Sequence, residues 1–218
     1  VPRKKLLPLF KYFSASSLLL LFLLFSWSGG FGNFFSNQNQ RGLQVESVFA
    51  LPFMIFKAFG ADIETIYRFG SLEVNLDTAN QIATLANWLT ISIFLLLFIL
   101  NYLGKFDHLL IFDKALIVII TVIFFSRVFS PQFYVWIGAL SAMALLNHKG
   151  KSKTIIILLS VSALMTQVLY PALYVQYLSG EFWPVMIQSI RIFTFTGAVI
   201  MGWRLLLQKP TGKVMIHD

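Results

Sequence analysis

Cysteine is missing from all 218 residues. Disulfides, thiolate metal sites and cysteine nucleophiles are excluded together. Histidine is scarce. His108, His148 and His217 lie far apart, and none has a metal-ligating partner three or four residues on. No metal centre is expected from them. Charge is thin at 12% of residues, against about 25% for an ordinary soluble domain. Acids are the rarer sign, nine against seventeen Lys and Arg.

What fills the chain instead is apolar. Hydrophobic residues make up 57% of it, with 23 phenylalanines and five tryptophans. Mean hydropathy is +0.76. One soluble core does not need that much, so lipid is the expected solvent for much of the surface. The net charge of +8 invites a nucleic-acid reading. In a membrane chain it is better explained by a cytoplasmic face rich in Lys and Arg, and no nucleic-acid partner is expected. Arg3, Lys4 and Lys5 precede an apolar run with no small-residue cleavage site behind it. The run is therefore read as a span, not a signal peptide.

A spanning helix needs about 20 mostly apolar residues. Segments 9–28, 83–103, 109–127, 131–147, 154–175 and 184–207 qualify or nearly do. The apolar stretch 48–59 is shorter and holds Pro52 and Lys57. It suits an interfacial or re-entrant helix. The fold class expected is all-α: one polytopic membrane bundle over 1–218, with about six spans and a long external loop over 28–82. With six spans, twelve of the seventeen basic residues fall on one side. That side is the cytoplasm, and both termini lie there. Trp27, Trp88 and Trp183 fall near outer ends, as an interfacial aromatic belt requires.

Four polar clusters need explaining. In Arg41-Gly42-Leu43-Gln44-Val45-Glu46-Ser47, a helix would put Arg41 and Gln44 on one face. The cluster reads either as an ordinary helix entry or as a polar wall facing a headgroup, and both readings stay open. In the run 126–133, Arg127 either snorkels to outer headgroups or faces the bundle to meet phosphate; its outer position breaks the charge bias and favours the second. Pro131 opens the next span where proline is tolerated. In the run 167–174, Pro171 frees a backbone carbonyl, and Tyr170, Tyr174 and Tyr177 read first as belt residues. Arg191, with Gln188 one turn earlier, sits at a depth where facing lipid costs a few kcal/mol. It is expected to face the bundle interior. Arginine's fork suits phosphate oxygens.

The strings RGLQVES (41–47), YRFGSLEV (67–74), SRVFSPQFYVW (126–136) and MTQVLYPALY (165–174), followed by Arg191, together resemble the C-terminal half of a GT-C-type membrane glycosyltransferase. The nearest group is glycosyltransferase family 87, the bacterial α-mannosyltransferases that use polyprenyl-phosphate mannose. The resemblance implies a prokaryotic plasma-membrane enzyme without a cofactor. It would take a sugar from a polyprenyl-phosphate donor at the outer face and pass it to a glycolipid or glycan acceptor. A carboxylate would act as general base on the acceptor hydroxyl, and cations would stabilise the departing phosphate. In such enzymes the base usually lies in the first external loop. No acidic loop precedes RGLQVES in this chain, so the base is expected upstream of it. Glu46 is the local candidate, set against a role in orienting Arg41. The expected substrate-binding residues are Arg41, Gln44, Glu46, Arg127, Ser130, Gln132, Tyr170 and Arg191.

Two other functions compete. A lipid-linked saccharide flippase needs polar groups across both halves of the bilayer, whereas the ionisable residues concentrate in the outer half. A non-catalytic assembly subunit needs the clusters to be scattered. Convergence of the three arginines and Gln132 on one cavity separates the readings.

Overall fold

The structure is a computed structural model. It describes residues 3–27, 40–146 and 152–208, with side chains of the first stretch given for 11–23. The Asn/Gln-rich run from Asn33, the Lys149 and Lys151 connector with His148, the tail with Lys209, Lys213 and His217, and the Trp27 side chain lie outside the described residues. Where one bundle over 1–218 is expected, the chain divides into two compact units, Val1–Arg41 and Gly42–Asp218.

The first unit holds helix α1 (Arg3–Trp27). The second begins with a buried stretch over 42–47, extended to Gln44 and then turned by a Ser47 N–H bond to Gln44 O, and a short 3-10 turn over Val48–Ala50. Seven α-helices follow among its described residues: α2 (Leu51–Ala58), α3 (Asp77–Tyr102), α4 (Ile111–Phe125), α5 (Phe133–Leu146), α6 (Lys153–Leu169), α7 (Tyr174–Ser179) and α8 (Phe182–Leu207). Pro52 stands in the first turn of α2, where its missing N–H is harmless.

Each expected span contains a helix, but the count of crossing helices differs. Among the described residues, α3 and α8 are long and apolar enough to cross a membrane, not about six. For α4, α5 and α6 the reason is length. Helices α4, α5 and α6 have 15, 14 and 17 residues, or about 22, 21 and 25 Å at 1.5 Å per residue. A bilayer core is about 30 Å thick. The apolar runs in the sequence include loop residues that stay outside the helices. The run 154–175 is cut at Tyr170, ahead of Pro171, which cannot donate a helical hydrogen bond. Trp88 stands eleven residues into α3, about 17 Å along it, so it does not mark the helix end.

Two short strands, β1 (Thr65–Arg68) and β2 (Ser71–Val74), interrupt the segment read as a loop. They pair antiparallel with Arg68 opposite Ser71. Phe69 (φ 48) and Gly70 (φ 79) form the two-residue turn, and positive φ at both positions matches the right-handed twist of a hairpin. Stretch 42–47 is not helical. It lies along the free edge of β2, with Val45 N donating to Leu72 O at 3.0 Å and Val74 N to Leu43 O at 2.9 Å. Gln44 is bridged to Glu73. Period-two alternation sends Leu43 and Val45 into the core and Gln44 the other way.

The main core joins α4, α5, α6 and α8 around Leu116, Ile117, Ile120, Phe129, Leu159 and Phe195. A second core, at Leu43, Val45, Met54, Val74, Ala83 and Tyr177, seats the strands and α2. Helices α6 and α8 are the most extensively packed pair. Arg191 Nη2 donates to Phe129 O, Ser162 Oγ donates to the Arg191 carbonyl and the Tyr134 hydroxyl meets Ser162. The end of α4, the start of α5, the end of α6 and the start of α8 therefore share one end of the bundle. Ser152 Oγ donating to Asp113 and His108 beside Leu205 O mark the other.

Candidate functional site

The shared end carries an open cavity of about 360 Å³, within the about 300–1,000 Å³ usual for small-molecule sites. Gln44, Glu46, Tyr67, Gly70, Ser71, Leu72, Ser130, Pro131, Gln132, Tyr170 and Tyr174 line it. Five of the eight expected residues meet here: Gln44, Glu46, Ser130, Gln132 and Tyr170. They come from three separate segments.

Gln44 is the joint between two of these segments. Its backbone N–H donates to Arg127 O at 3.1 Å. Its Oε1 accepts from Phe129 N at 2.8 Å. Its Nε2 donates to Glu46 Oε2 at 2.7 Å and to Ser130 Oγ at 3.0 Å. Both polar atoms of the amide are engaged within the protein, so Gln44 orients the wall.

Glu46 is the only acid lining the cavity among the described residues. It is buried. Burial pushes its carboxyl up from 4.5 to about 7, against the charge of Arg191 and hydrogen bonds from Tyr174 and Gln44. A carboxyl near neutrality can hold or release a proton at working pH. The Tyr174 hydroxyl is likewise driven away from ionisation, by burial and then by the Glu46 charge. It remains a donor toward the carboxylate. The Tyr177 hydroxyl is fully buried and donates to Val45 O. It fastens the wall and is not part of an aromatic belt.

The arginines do not line the cavity. Arg191 is 1% exposed. Its Nη1 donates to Gln188 Oε1 at 3.1 Å and approaches Glu46 O at 3.5 Å, and its Nη2 donates to Phe129 O at 3.0 Å. Its guanidinium lies 4.1 Å from the Phe129 ring centre and 5.5 Å from that of Tyr134, within cation–π reach of both rings, which stack on each other at 5.7 Å. Gln188 Nε2 donates to Glu46 O at 3.1 Å. Arg191 does face the interior, where it braces two walls of the cavity by their carbonyls. Arg127 is 9% exposed, and its carbonyl holds Gln44. Arg41 ends the other unit.

Sequence reading missed Tyr67 and Ser71 as lining residues. The string YRFGSLEV contains both, and its Phe-Gly turn between alternating residues was the available hairpin signal. Among the described residues no group of three His, Asp or Glu side chains is placed to hold a metal ion. No protein-family profile, curated protein or solved structure matches the chain.

Proposed function

We propose that the chain is the membrane-embedded half of a GT-C-type glycosyltransferase. It moves a hexosyl group, of the mannosyl type, from a polyprenyl-phosphate donor to a glycolipid or glycan acceptor at the outer face of a prokaryotic plasma membrane. Helices α3 and α8 cross the bilayer. The shorter α4, α5 and α6 lie in the same layer where the bilayer thins around them, and with α1 they complete six passes with both termini in the cytoplasm. The exposed side chains of Leu85, Ile91, Phe94, Leu95, Phe98 and Ile99 on α3 support lipid contact, because soluble surfaces rarely carry so long an apolar patch.

The observation that carries the reading is Glu46: a carboxyl shifted toward neutrality, oriented by Gln44 and Tyr174, in the wall of an open polar cavity. In this reading Glu46 takes the proton from the acceptor hydroxyl as the new glycosidic bond forms. The test uses membranes from the native source, with the chromosomal copy intact, deleted, or carrying Glu46→Gln. Transfer from a polyprenyl-phosphate hexose is expected in the intact strain and lost in the other two. Equal transfer in all three would overturn the assignment.

A flippase finds less support. The cavity with most of the polar lining occupies one end, and the cavities between α5 and α6 and between α2 and α8 are lined mainly by apolar residues. A non-catalytic saccharide-binding subunit is the second reading. It is favoured by Arg191, whose amino groups are committed to protein acceptors and do not reach the cavity as a phosphate clamp would.

A further inference from the structure

Tyr67 is 69% exposed although it borders a cavity. It stands on β1 opposite Leu72. The hydrogen bonds of Val45 and Val74 lash this hairpin to stretch 42–47, so its ring is presented from an anchored backbone. Tyr170 and Tyr174, packed edge to face at 5.1 Å, supply a second aromatic wall. Gln132, Ser71, Ser130 and Glu46 add an amide, two hydroxyls and a carboxyl to the same cavity lining.

None of the described residues lining this cavity is Lys or Arg. A phosphate placed here would meet a carboxyl and phenols with no cation in the wall, an arrangement that buries uncompensated charge. A purely apolar ligand would leave the Gln132 amide without a partner and would set hydrocarbon against the Glu46 carboxyl and the Ser71 and Ser130 hydroxyls, which the protein itself engages only in part. A neutral ring with hydroxyls on its edge and C–H bonds on its faces satisfies both sets of groups. The negative face of an aromatic ring attracts the positive hydrogens of such C–H bonds.

We propose that the cavity seats an uncharged sugar ring stacked on Tyr67, with Gln132 and Ser130 hydrogen-bonding its hydroxyls, and that a donor phosphate is held elsewhere. The inference rests on the sugar-transfer reading and deepens it: the cavity is the acceptor seat, and Tyr67 is its specificity-determining residue.

The test is binding to the full chain in phosphatidylcholine–phosphatidylglycerol nanodiscs, followed by saturation-transfer NMR and calorimetry. The probes are methyl β-glucoside, methyl α-mannoside and glucose 1-phosphate. At least one methyl hexoside is expected to bind. Glucose 1-phosphate should bind about tenfold more weakly than that hexoside. Tyr67→Ala should weaken hexoside binding about tenfold, while Tyr67→Trp stays within about threefold. Gln132→Ala should weaken it severalfold, and an unchanged melting temperature in each variant shows that folding is not the cause. Equal or tighter binding of the phosphate, an unaffected Tyr67→Ala, or no binding of either hexoside would overturn the inference. Sugar transfer without hexoside binding would remove the seat and leave the transferase reading standing. Hexoside binding in a protein that transfers nothing would do the reverse.

Discussion

Helices α3 and α8 are both 26 residues long and both apolar enough to cross a membrane, yet they do opposite work. Only 17% of the apolar window of α3 is buried, against 50% for α8. The buried residues of α3 are small except for Leu97: Ala79, Ala83 and Ala86 line the rest of that face. Large side chains point outward. On α8 the buried face carries Gln188, Ser189 and Arg191 among its apolar residues, and Gln188 and Arg191 engage the cavity walls. Length and hydropathy do not distinguish the two. The position of polar groups relative to the buried face does.

Arg191→Leu should break this contrast most severely. It makes α8 as apolar as α3 but strips partners from Phe129 O and Gln188. A loss of about 3–5 kcal/mol is expected from uncompensated buried polar groups, read as a lowered unfolding midpoint in detergent. Arg191→Lys should recover only part of it, since a point charge cannot reproduce the fork. Next in size is Phe94→Lys, on the exposed side of α3. If that side faces lipid, insertion should become less favourable by about 2.5–3.5 kcal/mol, measured as the inserted fraction in a translocation assay. An effect within about 0.5 kcal/mol, as on a watery surface, would mean that α3 does not meet lipid there.

The third prediction concerns the carboxyl that α8 supports. Because the Glu46 carboxyl lies near 7 in the fold and 4.5 is its ordinary value, the folded state binds more protons than the unfolded state between those limits. Stability should therefore fall as pH rises from about 4.5 to about 7 and level off above, by about 3 kcal/mol. Melting temperatures across that range check it. Glu46→Gln should flatten the slope and raise stability at pH 8, while abolishing sugar transfer. The smallest effect is expected for Gly202→Ala. Its Cβ would stand 3.1 Å from Ile117 Cγ2, and that crowding between α8 and α4 roughly offsets a helix-propensity gain of about 1 kcal/mol. Replacement by Leu should cost more than 1 kcal/mol.

The helices were legible because apolar runs survive without an alignment: 83–103, 109–127, 131–147 and 184–207 each contain one. Their ends were not, because hydropathy counts loop residues such as Leu109 and Leu173 that pack without being helical. The hairpin was lost for a different reason. Four-residue strands give almost no periodic signal, and the partner edge at Leu43 and Val45 lies more than twenty residues away in sequence. Gln44, Glu46, Ser130, Gln132 and Tyr170 were found because polar residues in an apolar chain stand out. Their roles were harder to read. Arg191 has the chemistry of a phosphate ligand and the position of an internal brace, and composition reports only the first.

The brace also fixes when the cavity wall is fully supported. Glu46 O is held by Gln188, and Phe129 O by Arg191, both on α8. A ribosome that has delivered everything up to Leu173 has made every lining residue but Tyr174, yet the two segments that Arg191 joins still lack one clasp. Gln44 already ties these segments to each other, so α8 adds a second clasp, and the cavity wall has its full support only once α8 has docked.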